Sequence, residues 1–202
     1  MVHWDNYMFL LTSDYWEVRK TKKKGWGVFC KETIHAGTVI SDYLGTVIKN
    51  AEYNLENDRK GLYLMYFSDR ASIYPDLTHP GPHLLNHSCT PNCWVYSYRG
   101  HTLFFALRTI APGEELTISY LLCPNDGTCS PCTHQCECGS TNCTGTMHLS
   151  EERYNKWQHF QDKVKKKTKR VRVRYGALLT PLLSYPKRIP IRAIYAAICP
   201  TE

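Results

Sequence analysis

Six of the ten cysteines fall within residues 123–143, and this crowding limits the fold of the 202-residue chain more than any other feature. Thiols so close together bind a metal, pair with each other, or stay reduced and free. The spacing Cys136-x-Cys138-x4-Cys143 suits tetrahedral zinc, which favours soft sulfur ligands in closed, four-coordinate sites. Three thiolates leave such a site one ligand short. Cys129-x2-Cys132 is a second spacing of metal type. With Cys123, these thiols supply alternative ligands, build a second site with His134, or stay reduced and free. Disulfides are the competing reading. The N-terminus has an apolar stretch but no basic n-region and no small-residue cleavage site, so it is read as part of the fold. A reducing compartment follows from that reading, and there metal is favoured over disulfides. Cys30, Cys93 and Cys199 read as ordinary buried or free thiols.

The rest of the chain is patterned for strands. Trp26–Phe29 and Thr38–Ile40 are β-favouring runs, punctuated by Gly25, Gly27, Gly37 and Gly45. Residues 50–62 read as a short helix or loop insertion. Tyr63–Tyr66, Ser72–Tyr74 and Leu116–Tyr120 read as strands, and residues 94–98 and 102–107 as a hairpin turning at Arg99-Gly100. Residues 75–93 look irregular. Ser150 is placed to cap a helix whose first turn holds Glu151 and Glu152 and whose apolar stripe is Tyr154, Trp157, Phe160 and Val164. Strands do not alternate with long helices, which argues against a doubly wound sheet. No run reaches the roughly eighteen apolar residues of a membrane span. Fourteen tyrosines and five tryptophans are many for this length, enough to line a pocket as well as a core.

Four segments stand in a telling order: Lys24-Gly25-Trp26-Gly27-Val28-Phe29, Asp42-Tyr43-Leu44-Gly45, Asn86-His87-Ser88-Cys89-Thr90-Pro91-Asn92 and Glu114-Glu115-Leu116-Thr117-Ile118-Ser119-Tyr120. Together they resemble the SET-domain protein-lysine methyltransferases, and Cys136–Cys143 resembles that family's post-SET motif. The resemblance covers residues 15–149, and its most specific part is the Asn86–Asn92 string. It implies a mostly β chain with short helices, in which small sheets surround a pseudoknot, followed by a zinc-binding post-SET segment and a helical basic tail. The divisions expected are a flank at 1–14, the SET domain at 15–122, the cysteine segment at 123–149 and the helix and tail at 150–202.

The resemblance also implies a reaction, with S-adenosylmethionine donating a methyl group to a lysine, the lysine of a histone tail being the expected substrate. Tyr120 matches the catalytic tyrosine and Tyr43 the aromatic on the other side of the lysine channel. Gly25, Trp26, Gly27, Asn86 and His87 match the cofactor contacts. Cys89 matches the missing zinc ligand, completing Cys89, Cys136, Cys138 and Cys143. The chemistry is an in-line displacement by an amine whose ordinary pKa is about 10.4, so the site must favour the neutral form. A narrow apolar channel and a nearby sulfonium both do so. Two positions depart from the family pattern. His83 stands where an Arg is usual, three residues before Asn86. Ile118 stands where Phe or Tyr is usual, two before Tyr120; lacking a hydroxyl to hold a water, it implies access to higher methylation states.

The net positive charge is confined to the end of the chain. Residues 163–202 hold eleven Lys and Arg against one acidic residue, while residues 1–162 hold fourteen against seventeen. The run at 163–174 suits DNA or nucleosome phosphates, a nuclear import signal, or a solvated helix end. Residues 175–198 are apolar and broken by prolines, and read as packing on the domain or meeting a partner. The expected location is intracellular, in the nucleus or on chromatin of a eukaryotic cell or host. Competing readings are a methyltransferase of a non-histone protein, a catalytically silent SET module that binds peptide or nucleic acid, and a zinc-binding nucleic-acid module, which leaves Asn86–Asn92 unexplained.

Overall fold

The computed structural model describes residues 8–50, 63–68, 70–127, 129–165, 174–189 and 191, without the side chains of 160–165. The insertion at 51–62, the basic residues 166–173, Cys199 and the side chains of Phe160 and Val164 lie outside the described residues, as do the expectations made for them.

Among the described residues, ten short strands form four small sheets, and one α-helix follows. β1 (Trp16–Lys20) and β2 (Trp26–Cys30) make an antiparallel pair. β3 (Val39–Asp42) lies at the edge of a three-stranded sheet with β8 (Cys93–Tyr98) and β9 (His101–Ala106), in the order β3-β9-β8. β4 (Gly45–Lys49), β5 (Met65–Ser68) and β6 (Ala71–Pro75) form another, in the order β4-β6-β5. β7 (Asn86–His87) and β10 (Thr117–Ile118) pair in parallel. α1 spans Glu151–Lys165.

The hairpin forms where the sequence places it. Arg99 and Gly100 take φ of 49° and 83° at its tip, the left-handed backbone that a two-residue hairpin turn requires. The expected strand at 116–120 shrinks to Thr117–Ile118, because its partner is only the two-residue β7, inside the stretch that reads as irregular. β5 begins two residues later than the apolar run suggests. Ser150 caps α1: its Oγ accepts from the Arg153 amide at 3.3 Å and its carbonyl from the Tyr154 amide at 2.9 Å.

The main core gathers Val28, Ile40, Tyr43, Ile73, Phe104 and Leu116, among others, from all four sheets. A second cluster, including Val39, Trp94, Phe105 and Ile189, lies on the other face of the β3-β9-β8 sheet. Ile189 belongs to the C-terminal segment, whose described part packs on the domain. The Val47 amide donates to Ala177 O, the Leu179 amide to Gly45 O and the Ile189 amide to Gly37 O. Asp42, fully buried, anchors the same segment: its Oδ2 accepts from Tyr185 Oη at 2.8 Å and pairs with His101 Nδ1 at 2.7 Å.

Candidate active site and metal centre

The parallel pairing of β7 with β10 brings the two most informative motifs side by side, with Asn86 opposite Thr117 and His87 opposite Ile118. Asn92 locks them together. Its Nδ2 donates to Glu115 O at 2.8 Å and its Oδ1 accepts from the Thr117 amide at 2.8 Å. Asn92 is only 3% exposed, so these bonds are the side chain's replacement for water.

On one side of this junction lies the turn into β2. Asn86 Nδ2 donates to Trp26 O at 3.0 Å and to Glu115 Oε1 at 2.7 Å, while Lys24 Nζ pairs with Glu115 Oε2 at 2.5 Å. Gly27 makes this convergence possible. A Cβ there would stand 2.7 Å from Glu115 Oε1 and 2.9 Å from Asn86 Nδ2, closer than real contacts allow. The Trp26 ring is 53% exposed beside this polar group. Trp26, Gly27, Asn86 and Glu115 are therefore one neighbourhood, with Gly25 in the turn beside it.

On the other side opens a cavity of about 360 Å³, walled by Tyr43, Tyr63, His83, Ile118, Tyr120 and Trp157 with several aliphatic neighbours. Tyr43, at the β3–β4 junction, is 2% exposed and donates its hydroxyl to Tyr63 O. Burial, then the neighbouring tyrosines Tyr120 and Tyr63, hold its ionisation far above the ordinary range. Tyr120 follows β10 and directs its hydroxyl at Leu85 O, 3.3 Å away. Enclosure of that hydroxyl, with Tyr63 nearby, pushes its pKa up to about 12. Both phenols are neutral donors at ordinary pH. His83 forms a T-shaped contact with Tyr63, at 5.6 Å between centroids, and its buried Nδ1 has no hydrogen-bond partner. Burial pushes its pKa down to about 4, against the pull of Asp76.

The His87 side chain turns inward, away from the polar surface around Asn86. The ring is 5% exposed and accepts the Tyr120 amide at Nδ1, 3.2 Å away. That leaves the proton on Nε2, which faces Cys89 Sγ at 3.7 Å. His87 thus connects the channel tyrosine to the cysteine cluster, and only its backbone remains for other contacts.

Cys89, Cys136, Cys138 and Cys143 bring their sulfurs within 4.8 Å of one another. Cys89 and Cys136 are 3.7 Å apart, too far for a disulfide, and all four are free thiols. Zinc–sulfur bonds of about 2.3 Å in a tetrahedron put neighbouring sulfurs about 3.8 Å apart, so this donor set fits zinc closely. Arg153 of α1 donates to Cys89 O at 3.2 Å, fastening the helix to the same cluster. Cys30 and Cys93 are buried in the domain and stand apart from this group.

The sequence gives Asn92, Tyr63 and Trp157 no role in the site, and quotes Glu115 only as part of a motif. Glu115 and Asn92 lie inside strings already singled out. Tyr63 and Trp157 carry no local signal, because only folding brings them to the channel.

Comparison with known proteins places this geometry. The SET-domain family profile matches residues 25–121, so this stretch of the chain is similar to SET domains. It is 35% identical over 158 residues to a histone-lysine N-methyltransferase, H3 lysine-9 specific, of Schizosaccharomyces pombe; the match covers 65% of this chain and 32% of that protein. It is 32% identical over 142 residues to the histone-lysine N-methyltransferase NSD3 of Mus musculus, covering 65% of this chain and 10% of that one. Among solved structures it is similar to KRYPTONITE in complex with mCHG DNA and SAH, with a TM-score of 0.50 and 28% identity over 66% of this chain and 29% of that chain. The chain thus spans about a third of the first relative and a tenth of the second. No helix among the described residues is long and apolar enough to cross a membrane.

Proposed function

We propose that this chain is an S-adenosylmethionine-dependent protein-lysine N-methyltransferase whose substrate is a histone lysine. The observation that carries the reading is the pairing of a tyrosine-walled cavity with a polar, glycine-opened surface across the β7–β10 junction. The similar proteins are named as histone-lysine methyltransferases, and the similar structure holds SAH.

The residues present suit that cofactor. Gly25, Trp26 and Gly27 offer close-approach backbone and an exposed indole, and Asn86 and Glu115 offer polar side chains beside them. S-adenosylmethionine supplies an electrophilic methyl on a sulfonium. The chain's own part is to hold a lysine in line with it. Tyr43, Tyr63 and Trp157 wall an apolar passage that suits the aliphatic stem. Exclusion of water there disfavours the ammonium and releases the amine that attacks. Tyr120 keeps its phenolic proton and so orients by hydrogen bonding, without acting as a base at neutral pH. Ile118, 5% exposed in the wall, offers no hydroxyl, so the passage accommodates a nitrogen that already bears methyl groups.

In this reading zinc on Cys89, Cys136, Cys138 and Cys143 is structural. It joins the segment after β10 to the motif that contacts the cofactor. The basic run at 163–174 supplies a phosphate-binding arm for nucleosomal DNA, which concentrates the enzyme on its substrate. Because residues 174–189 pack on the domain, the arm is tested by neutralisation in place and not by truncation. Changing Lys165, Lys166, Lys167, Lys169, Arg170 and Arg172 to Gln is expected to weaken nucleosome binding and its salt dependence, with activity on a histone peptide kept. Unchanged nucleosome binding removes the arm.

The central experiment is transfer of labelled methyl to a panel of histones and histone peptides, with Tyr120→Phe as control. Transfer to lysine that Tyr120→Phe abolishes supports the reading. Cofactor binding without transfer to any histone or other protein lysine replaces it with a silent binding module.

A further inference from the structure

Four metal-type donors outside the first cluster converge on a second point. The ligating atoms of Cys129, Cys132, His134 and His148 all lie within 4.8 Å of one another. Cys129 Sγ is 3.3 Å from His134 Nδ1, and Cys132 Sγ is 3.6 Å from His148 Nε2. Zinc bonds of about 2.3 Å to sulfur and about 2.0 Å to nitrogen, set tetrahedrally, put sulfur and nitrogen about 3.5 Å apart. Both pairs match that edge. The two imidazoles meet edge to face at 5.1 Å, so neither ring blocks the other's approach to a shared centre.

The histidine orientation adds an independent argument. His148 donates from Nδ1 to Cys123 O at 2.6 Å. That bond fixes the tautomer and leaves the Nε2 lone pair aimed at Cys132. Metal-bound histidines are habitually held by such a bond from the other ring nitrogen. The four side chains are only partly buried and belong to a stretch with no regular strand, so hydrophobic packing does not explain their convergence. Two thiolates and two imidazoles select zinc over the oxygen-seeking cations and leave a neutral, closed centre.

We propose that Cys129, Cys132, His134 and His148 form a second zinc site, which fixes the start of α1 and so seats Trp157 in the wall of the channel. The connections run in short steps. His148 pairs with Leu122 at the end of the SET core, and the Leu149 amide donates to Leu122 O at 3.0 Å. The Met147 amide donates to His134 O at 2.8 Å. Ser150 then caps the helix, Arg153 reaches Cys89 O and Trp157 meets the channel. The first cluster holds the post-SET loop against β7. The second holds the same loop against the helix. Metal occupancy here does not depend on whether the channel transfers methyl groups.

The test is metal stoichiometry on the full chain, purified under reducing conditions with zinc present. Elemental analysis and native mass spectrometry are expected to give two zinc ions per chain. X-ray absorption on the unaltered protein is expected to give an average of three sulfur and one nitrogen ligand per zinc. The double variant Cys129→Ser/Cys132→Ser should hold one zinc with sulfur ligands alone, and faster amide exchange in the first turns of α1. One all-sulfur zinc in the unaltered chain overturns the site, as does a Cys129–Cys132 disulfide found by peptide mapping. Two zinc ions retained by the double variant also overturn it. Loss of one zinc with unchanged exchange in α1 overturns the seating of the helix.

Discussion

Tyr43 and Cys138 both belong to the candidate site, but they are held in place by different means. Tyr43 is 2% exposed, stands between two strands of separate sheets and is surrounded by the main core. Cys138 is half-buried in a segment without strands, near Ser140 and the other thiols. The channel wall is positioned by ladders and packing that the chain makes unaided. The cysteine segment has little apolar surface to bury, so ordering it against its conformational entropy requires a different source of free energy. Binding of a structural zinc supplies about 10–16 kcal/mol in small zinc peptides, ample for such a loop. His87 is where the two regimes touch, with one ring nitrogen on the Tyr120 amide and the other facing Cys89.

Stripping metal tests this contrast most strongly. Chelation is expected to remove methyl transfer almost completely while far-ultraviolet dichroism keeps its β signal. Full activity in demonstrably zinc-free protein breaks the contrast. Next in size, Tyr120→Phe is expected to lower kcat about a hundredfold or more, with the melting midpoint within a degree or two, since the hydroxyl bonds only a carbonyl at the channel mouth. A large drop in melting temperature instead makes Tyr120 a structural residue.

Asn92→Ala acts through the fold. It strands the buried Thr117 amide and Glu115 carbonyl, and is expected to cost about 2–3 kcal/mol in denaturant unfolding. A cost below about 0.5 kcal/mol denies that this side chain laces the two motifs together. Ile118→Phe is gentler: it narrows the channel and is expected to shift products towards lower methylation, read by mass spectrometry, with at most about 1–3 kcal/mol lost to overpacking. An unchanged product distribution removes Ile118 from that role. The smallest effect is a pH dependence. Tyr120 holds its proton up to about 12 in the fold, above its ordinary value, so its stabilising contribution is complete below about pH 10 and fades as pH rises through 12. Transfer rates are then expected to show no tyrosinate inflection between about pH 8 and 10 that Tyr120→Phe abolishes.

Much of this was legible in the chain itself. The β-favouring runs, the Arg99-Gly100 turn and the Ser150 cap are local signals, and local backbone preferences express them nearly in register. The motif strings around Gly25, Asn86 and Tyr120 carry the family resemblance, and the cysteine spacing carries the metal type. What folding alone decided is which residues meet across long separations. The parallel pair β7–β10 has two residues a side, too short for any periodicity to reveal, yet it aligns the motifs. Tyr63 reaches the channel from just before β5 and Trp157 from the middle of α1, and nothing in their neighbours announces it.

The cysteine segment shows the division most plainly. Its sequence names the thiol donors and His134, because residue type and spacing show what a metal could accept, but it does not single out His148. It does not assign them. Cys89 joins Cys136, Cys138 and Cys143 because β7 delivers it there, and His148 turns towards Cys132 because its other nitrogen is held by Cys123 O. Ligand type is a property of side chains and can be read from a sequence, whereas ligand grouping depends on distances within about a bond length, which only the packed fold sets.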